Sequence, residues 1–111
     1  MFVPRNEIQP EKLDELSERR IMAYDSELML VEVSLKKNGV GATHTHPHHQ
    51  VDYLVSGRVE FNLNGEKRIL LPGDSVVIPP NLPHGAFALE DSVLLDIFSP
   101  MREDFVKAER S

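Results

Sequence analysis

Four of the five histidines in this chain lie between positions 44 and 49, in the run HTHPHH, and the fifth is His84. Such a cluster indicates a metal site, because histidine is the most frequent metal ligand with a neutral donor at physiological pH. His44 and His46 are two residues apart, so on a strand both imidazoles point to the same side. Gln50 has the same parity, and its amide oxygen can bind a cation.

His84 follows Gln50 by 34 residues and ends the segment PPNLPH, so a neighbouring strand would bring it to the same place. Three or four protein ligands with positions left for water or substrate are typical of a catalytic metal centre. The predicted ligands are His44, His46, Gln50 and His84. Their neutral atoms suit nickel, zinc, iron, manganese or cobalt, and the sequence selects none of these. It also leaves open whether Gln50 binds directly or through water.

The alternative is that these histidines are surface loop residues or an adventitious metal patch. We favour that interpretation only for His48 and His49, which follow Pro47. The remaining residues share a parity and a turn context that a loop patch would not require.

A second group of candidates lies near the end of the sequence. Asp96 and Phe98 share one face of a predicted strand, where a carboxyl group costs free energy unless it is paired or used. Burial would raise the pKa of Asp96 and a nearby cation would lower it, so Asp96 is a candidate to move a proton. Phe98 offers an apolar wall and Arg102 a fork for a carboxylate. The alternatives are an ion pair of Asp96 with Arg102, core packing of Phe98, and a solvated Arg102.

The elements that must position these residues are mostly strands. Turn signals such as Asn64-Gly65 separate short β-rich runs, and no helical stretch intervenes between them. The predicted strands cover residues 29–36, 51–55, 59–63, 68–71, 75–78, 85–89 and 93–98. This pattern predicts an all-β barrel or sandwich. We also predict a short helix over 11–20, from the spacing of Leu13 and Leu16, and another over 102–108.

Composition limits the class of protein. The 111 residues fit a single domain, 1–111, with the metal-binding core at 41–98. The absence of cysteine excludes disulfides and thiolate sites and suits a reducing cytoplasm. A net charge of −6 argues against nucleic-acid binding, and no apolar run is long enough for a signal peptide or a membrane span. We therefore expect a cytoplasmic protein.

Residues 41–84 resemble the two signature motifs of the cupin superfamily. The matching positions are His44, His46, Gln50 and Gly57, then Gly73, Pro79 and His84. The resemblance implies a small jelly-roll β-barrel that binds one divalent metal ion. Gln50 stands where most cupins have glutamate, and Asn81 where glycine is usual. A neutral ligand set leaves the metal its full charge, which favours an anionic substrate.

The segments HTHPHHQVDYLVSG, FNLNGEKRILLPGDSVVIPPNLPHG and LLDIFSPMREDF resemble the KdgF family of pectin-degradation cupins. The resemblance extends from about residue 23 to residue 105. It implies an enzyme that converts a cyclic 4,5-unsaturated uronate, released by pectin or alginate lyases, to its linear keto form. In such an enzyme Asp96 and Arg102 would be the catalytic residues, with Asp96 moving the proton and Arg102 orienting the acid group. Phe98 and Arg102 would bind the substrate.

Two other functions fit the same residues. One is a different metallo-cupin enzyme, such as a dioxygenase or a sugar isomerase, which would share the ligands. The other is a cupin that binds a ligand without catalysis. In each case we expect a homodimer, paired through sheet faces or through an exchanged arm formed by residues 1–8.

Overall fold

The protein consists almost entirely of strands. The computed structural model describes residues 1–110, with side chains as far as Val106. The strands are β1 (Glu11–Asp14), β2 (Ser17–Tyr24), β3 (Met29–Leu35), β4 (Val40–His44), β5 (His49–Ser56), β6 (Val59–Leu63), β7 (Glu66–Leu70), β8 (Ser75–Ile78), β9 (His84–Ala88) and β10 (Ser92–Ser99). A 3-10 helix covers Arg5–Glu7, and helix α1 covers Glu103–Arg110.

These strands form two antiparallel sheets. The larger sheet has the order β1-β2-β3-β10-β5-β8, and the smaller has the order β4-β9-β6-β7. From β3 onward, all consecutive strands except the hairpin β6–β7 lie in different sheets, which is the jelly-roll pattern. The predicted all-β jelly-roll fold is therefore confirmed. Within residues 1–110 the two sheets share no ladder, so the jelly roll is open rather than a closed barrel.

The inner face of the larger sheet follows from the pleat of β5 and β10. Along β5, buried and exposed residues alternate from His49 to Val55. The antiparallel register places Leu94 opposite Leu54, and Phe98 opposite Gln50. The side chains that the alternation turns inward on both strands therefore meet on one face.

Two apolar clusters fill the space behind this face. The first consists of Leu35, Leu54, Val59, Phe61, Leu70, Ile78, Ala88 and Leu94. The second consists of Ile21, Met29, Val31, Phe98 and Val106, and it includes the first turn of α1. Leu94 and Phe98 belong to different clusters, so Asp96 lies on β10 between the two.

The predicted turns are present. Asn64 and Gly65 have φ values of 49° and 89°, as a tight hairpin between β6 and β7 requires. Asn81, which replaces the usual glycine, adopts a left-handed φ of 64°. Gly57 also needs its lack of a side chain, because a Cβ there would lie 2.2 Å from the Ser92 Oγ atom.

The helix predicted over 11–20 is wrong, because β1 and the start of β2 occupy these residues as a hairpin. Asp14 closes the turn by accepting a hydrogen bond from the Leu16 backbone N–H at 2.8 Å. Leu13 and Leu16 are exposed, so their helical spacing buries nothing. Instead, β2 pairs with β3 and buries Ile21, and this long-range pairing outweighs a weak local pattern.

The two ends of the chain differ in how well they match expectation. The helix predicted over 102–108 is confirmed, and it is Glu103–Arg110. At the other end, the only helical segment among the described residues is the 3-10 turn Arg5–Glu7. No helix in the described part of the chain is long and apolar enough to cross a membrane.

Candidate metal centre

Three histidines from distant parts of the chain converge at one end of the jelly roll. His44 ends β4 and His84 begins β9, and the two are partners in the ladder of the smaller sheet. His46 follows in the loop to β5. One ring nitrogen from each of the three lies within 4.8 Å of the others. Such a spacing allows a single ion to contact all three.

The hydrogen bonds of the two paired histidines prepare them as ligands. The Nδ1–H of His44 donates to the Ala42 carbonyl oxygen at 2.8 Å, and that of His84 donates to the Leu82 carbonyl oxygen at 2.9 Å. A carbonyl only accepts, so the proton is on Nδ1 and each Nε2 keeps its lone pair. The Nε2 of His84 is buried and has no hydrogen-bond partner among the described residues. A bound cation would satisfy this atom, so these residues fit a metal.

Burial also favours, for His46 and His84, the neutral form that metal binding needs. Desolvation lowers the pKa of His46, although the Gln50 side chain acts in the opposite direction. Desolvation likewise lowers the pKa of His84. Both imidazoles are therefore uncharged at neutral pH, and only a neutral imidazole can donate its lone pair to a metal.

Gln50 lies beside this cluster with its amide oriented by two contacts. Its Oε1 is 2.7 Å from the Nε2 of His46, and its Nε2 donates to the Asp52 Oδ1 at 2.7 Å. Two ligands of one ion lie about 3 Å apart when each bond is about 2.1 Å. The four predicted ligand residues are thus neighbours, and direct binding by Gln50 stays a prediction.

A pair of buried carboxyl groups adjoins the predicted ligands. Asp96 faces Asp52 across the β5–β10 ladder, and the two side chains are hydrogen-bonded. Desolvation raises the pKa of Asp52 to about 6. Desolvation also raises the pKa of Asp96 well above its usual range, and the charge of Asp52 adds to this, while Arg102 opposes it. Two carboxylates this close cannot both ionise easily, so the pair keeps a proton.

The sequence interpretation found Asp96 but missed Asp52. The signal was present, because Asp52 has the same parity as Gln50 and Leu54 in the alternating strand β5. An acid between two inward-facing residues must itself face inward. The pairing with Asp96 could not be read from the sequence, since it depends on the register between β5 and β10.

Phe98 and Arg102 lie together at the edge of the site. The Phe98 ring is buried and stands edge-on to the His46 ring, with the ring centroids 5.7 Å apart. The Arg102 guanidinium lies 5.2 Å from the Phe98 centroid. The side chain of Arg102 is only 11% exposed, so the alternative of a solvated arginine is wrong.

Arg102 forms its ion pair with Asp104 rather than with Asp96. Its Nε and Nη2 donate to the two Asp104 carboxylate oxygens at 3.0 and 2.9 Å. Its guanidinium also stacks over the Phe105 ring at 4.2 Å, and Arg19 covers the same ring at 3.8 Å. Phe105 and Arg19, which sequence reasoning missed, therefore hold Arg102 in place.

The two histidines interpreted as loop residues differ from each other. His49 is exposed, whereas His48 is half-buried and its ring lies 5.4 Å from that of His46. The Nδ1 of His48 is buried and has no hydrogen-bond partner among the described residues. His48 therefore borders the site, and it is not a solvated loop residue.

Comparison with known proteins identifies the family. The family described as "Cupin domain" matches residues 31–98. The pectin degradation protein KdgF of Dickeya dadantii (strain 3937) is 41% identical over 98 residues, which cover 86% of this chain and 89% of that protein. The chain is a cupin of the KdgF family. The resemblance noted in the sequence is thus confirmed.

Solved structures agree with this assignment. KdgF from Halomonas sp. is 41% identical to this KdgF-family cupin, with a TM-score of 0.91 over 95% of this chain and 97% of that one. An RmlC-like cupin from Shewanella frigidimarina NCIMB 400 is 36% identical, with a TM-score of 0.90 over 94% of each chain. The high coverage of both chains means that the whole fold is shared.

Proposed function

We propose that this cupin is a metal-dependent enzyme that converts a cyclic 4,5-unsaturated monouronate to its linear keto form. Such monouronates arise when lyases cleave pectin or alginate. The observation that carries the proposal is a buried carboxyl pair, Asp52 and Asp96, directly beside three converging histidines. The relationship to proteins named KdgF, one of them described as a pectin degradation protein, supports the same class of substrate.

The proposed reaction is an isomerisation and needs no co-substrate. The anomeric hydroxyl loses its proton, the bond between C1 and the ring oxygen breaks, and C1 becomes an aldehyde. The former ring oxygen becomes a ketone at C5 as C4 gains a proton. The site must therefore bind one carboxylate and manage the transfer of one proton.

The metal ligands and the cation would help to bind the anionic substrate. A divalent ion held by His44, His46, Gln50 and His84 would supply Lewis-acid polarisation of the substrate's oxygens. All four side chains are neutral, so they do not repel an anionic substrate. His44 is exposed, which leaves this end of the site open to solvent.

Asp96 is the proposed proton-transferring group. Its buried Oδ1 has no hydrogen-bond partner among the described residues, and burial raises its pKa well above the usual range, which favours the protonated form. A carboxyl group with such a pKa can both donate to carbon and accept from a hydroxyl. Asp52 adjoins it as the partner that shares the proton.

Arg102 and Phe98 would bind the substrate. Arg102 already forms a two-point contact with a carboxylate, that of Asp104, whose side chain is 61% exposed. A substrate carboxylate can replace an exposed partner of this kind at little cost. Phe98 lies between Arg102 and His46, so its ring can form the apolar floor of a sugar site.

An ultraviolet assay tests the proposal directly. Loss of the conjugated double bond of a lyase-produced unsaturated monouronate is followed with purified, metal-loaded protein. We expect decay well above the spontaneous rate, and a decay at the spontaneous rate would show that the proposed reaction is wrong. Persistence of the activity without oxygen and with zinc separates it from a dioxygenase. Failure of Asp96→Asn to slow turnover would favour a cupin that only binds.

We further propose that the protein is a cytoplasmic homodimer. The absence of cysteine suits a reducing compartment. The outer face of the larger sheet carries exposed apolar residues on adjacent strands, among them Val51 and Tyr53 on β5 and Val77 on β8. A second copy related by a two-fold axis would cover this face. Sedimentation that gives a monomer at micromolar concentration would disprove the dimer.

A further inference from the structure

The amide of Gln50 links the histidine cluster to the carboxyl pair. Its oxygen faces the Nε2 of His46 and its nitrogen donates to the Asp52 Oδ1, both at 2.7 Å. Gln50 and Asp52 are 5% and 3% exposed, so water does not compete for these contacts. The amide oxygen accepts from the Nε2–H of His46 and the amide nitrogen donates to Asp52, so the buried amide is matched at both ends. A bound cation would take the place of the His46 proton.

A glutamate at position 50 would not be matched in this way. A carboxylate has the shape of the amide but only accepts, so the Asp52 Oδ1 would lose its donor. Asp52 already faces Asp96 across the ladder. Three carboxyl groups would then lie side by side away from water, and no N–H donor would stand between positions 50 and 52.

We propose that Asp52 is a positioning residue of the metal centre. It holds the Gln50 amide so that the oxygen faces the histidines, and its presence on β5 selects glutamine over glutamate at position 50. The inference rests on the proposed metal centre but not on the proposed reaction. It accounts for the departure of Gln50 from the usual cupin ligand by a neighbour two residues away in the same strand.

The pairing can be tested by exchanging donor and acceptor. Gln50→Glu removes the donor, Asp52→Asn supplies one on the other side, and the double variant restores a matched pair. In chelator-treated protein, we expect Gln50→Glu alone to lower the melting temperature by about 5–15 °C at neutral pH. In the Asp52→Asn background, Gln50→Glu should lower the melting temperature by only a small part of that amount.

A matched control separates contact from charge. Asp91→Asn removes the same charge in the turn just before β10, where Asp91 accepts from the Lys37 backbone N–H. In the Asp91→Asn background, Gln50→Glu should lower the melting temperature by as much as it does in the wild-type protein. An equal cost of Gln50→Glu in all three backgrounds would overturn the inference.

Cobalt binding tests the orientation of the amide without any turnover. Asp52→Asn can still accept from Gln50 through its Oδ1, so Co²⁺ affinity and the Co²⁺ absorption spectrum should change little. Asp52→Val cannot accept, and loss of such an outer partner weakens metal affinity by about 10–100-fold. Equal Co²⁺ affinity and spectra for Asp52→Val and wild type would also overturn the inference.

Different results would disprove the metal centre and the positioning role of Asp52. Wild-type protein that binds no Co²⁺ in competition with a chromophoric chelator would remove the metal centre and the inference together. If wild-type protein binds Co²⁺ but the melting-temperature changes caused by Gln50→Glu and Asp52→Asn are additive in the double variant, only the inference about Asp52 is overturned. If Asp52→Val does not fold, the donor and acceptor exchange still decides, because each of its variants keeps the native side-chain volume.

Discussion

The two faces of the β5–β10 strand pair depart from the usual pattern of a sheet in both directions. Beside its apolar residues, the inner face presents Gln50 and Asp52, which are buried, and Asp96, whose Oδ1 is shielded from water. The outer face presents valine and tyrosine side chains, with Val51 at 39% and Tyr53 at 42% exposure. A half-buried strand normally turns apolar residues inward and polar residues outward.

This departure suggests a different task for each face. On the inner face, contacts link the polar side chains from His46 through Gln50 and Asp52 to Asp96, and the Asp96 Oδ1 alone of the two aspartates' oxygens is buried without a hydrogen-bond partner among the described residues. Groups that cost free energy to bury are expected where chemistry is done. On the outer face, the exposed apolar side chains form the proposed dimer contact surface. We therefore expect changes on the inner face to alter reactivity and changes on the outer face to alter assembly.

The largest effect should come from removing the cation from the inner face. Dialysis against a chelator should reduce the ultraviolet activity to the spontaneous rate, because the histidines and Gln50 alone supply no Lewis acid. Re-addition of a divalent metal should restore it, and the metal should raise the melting temperature by several degrees. Unchanged activity after chelation, confirmed by elemental analysis, would contradict the proposed mechanism.

The second largest effect should come from Asp96→Asn. Asparagine has the same shape but cannot exchange a proton, so we expect kcat to fall by about 10²–10⁴-fold. Metal affinity should be unchanged, because Asp96 is not among the predicted ligands. The ultraviolet assay measures the loss, and Asp91→Asn, the remote variant of equal charge change, should retain full activity.

A smaller effect is expected for Arg102→Lys. Lysine keeps the charge but lacks the planar fork, so binding of a substrate carboxylate should weaken and KM should rise about 10-fold or more. Steady-state kinetics should show the change mainly in KM. If kcat falls and KM does not move, Arg102 has a role other than holding the carboxylate.

The outer face is tested by Val77→Glu. Val77 is 64% exposed on β8, and a carboxylate there would be buried against its symmetry-related region in a dimer. We expect the dimer dissociation constant to rise about tenfold or more, as measured by sedimentation, with unchanged metal binding. An unchanged dimer would place the contact surface elsewhere, for example at the arm of residues 1–8.

The smallest effect is a stability change that depends on pH. Burial raises the pKa of Asp96 above its unfolded value of about 4. The folded state therefore loses stability as the pH rises from the unfolded-state pKa through the folded-state pKa. Asparagine does not ionise, so chelator-treated Asp96→Asn should melt a few degrees higher than wild type near pH 8. The two proteins should melt at similar temperatures near pH 4, and a constant difference across pH would contradict the assigned cause.

Sequence reasoning was effective where local signals determine structure. The short β-rich runs and the Asn64-Gly65 turn were enough to predict an all-β barrel or sandwich, and the spacing of His44 and His46 was enough to predict that both face one side. The jelly roll itself was implied by the resemblance to the cupins. It failed at 11–20, where the pairing of β2 with β3 decides the structure. It also missed Asp52, because the importance of that residue comes from its partner on β10, and a register between strands far apart in sequence has no local signal.

Helix α1 connects the end of the described chain to the proposed substrate site. Phe105 is held between Arg19 and Arg102, and Val106 packs in the same cluster as Phe98. Proteolytic trimming before residue 103 would therefore leave both sheets paired but would release Arg102 and uncover the Phe98 ring. An inactive protein with intact sheet content would be the product, so purification tags are better placed at the start of the chain than beside this helix.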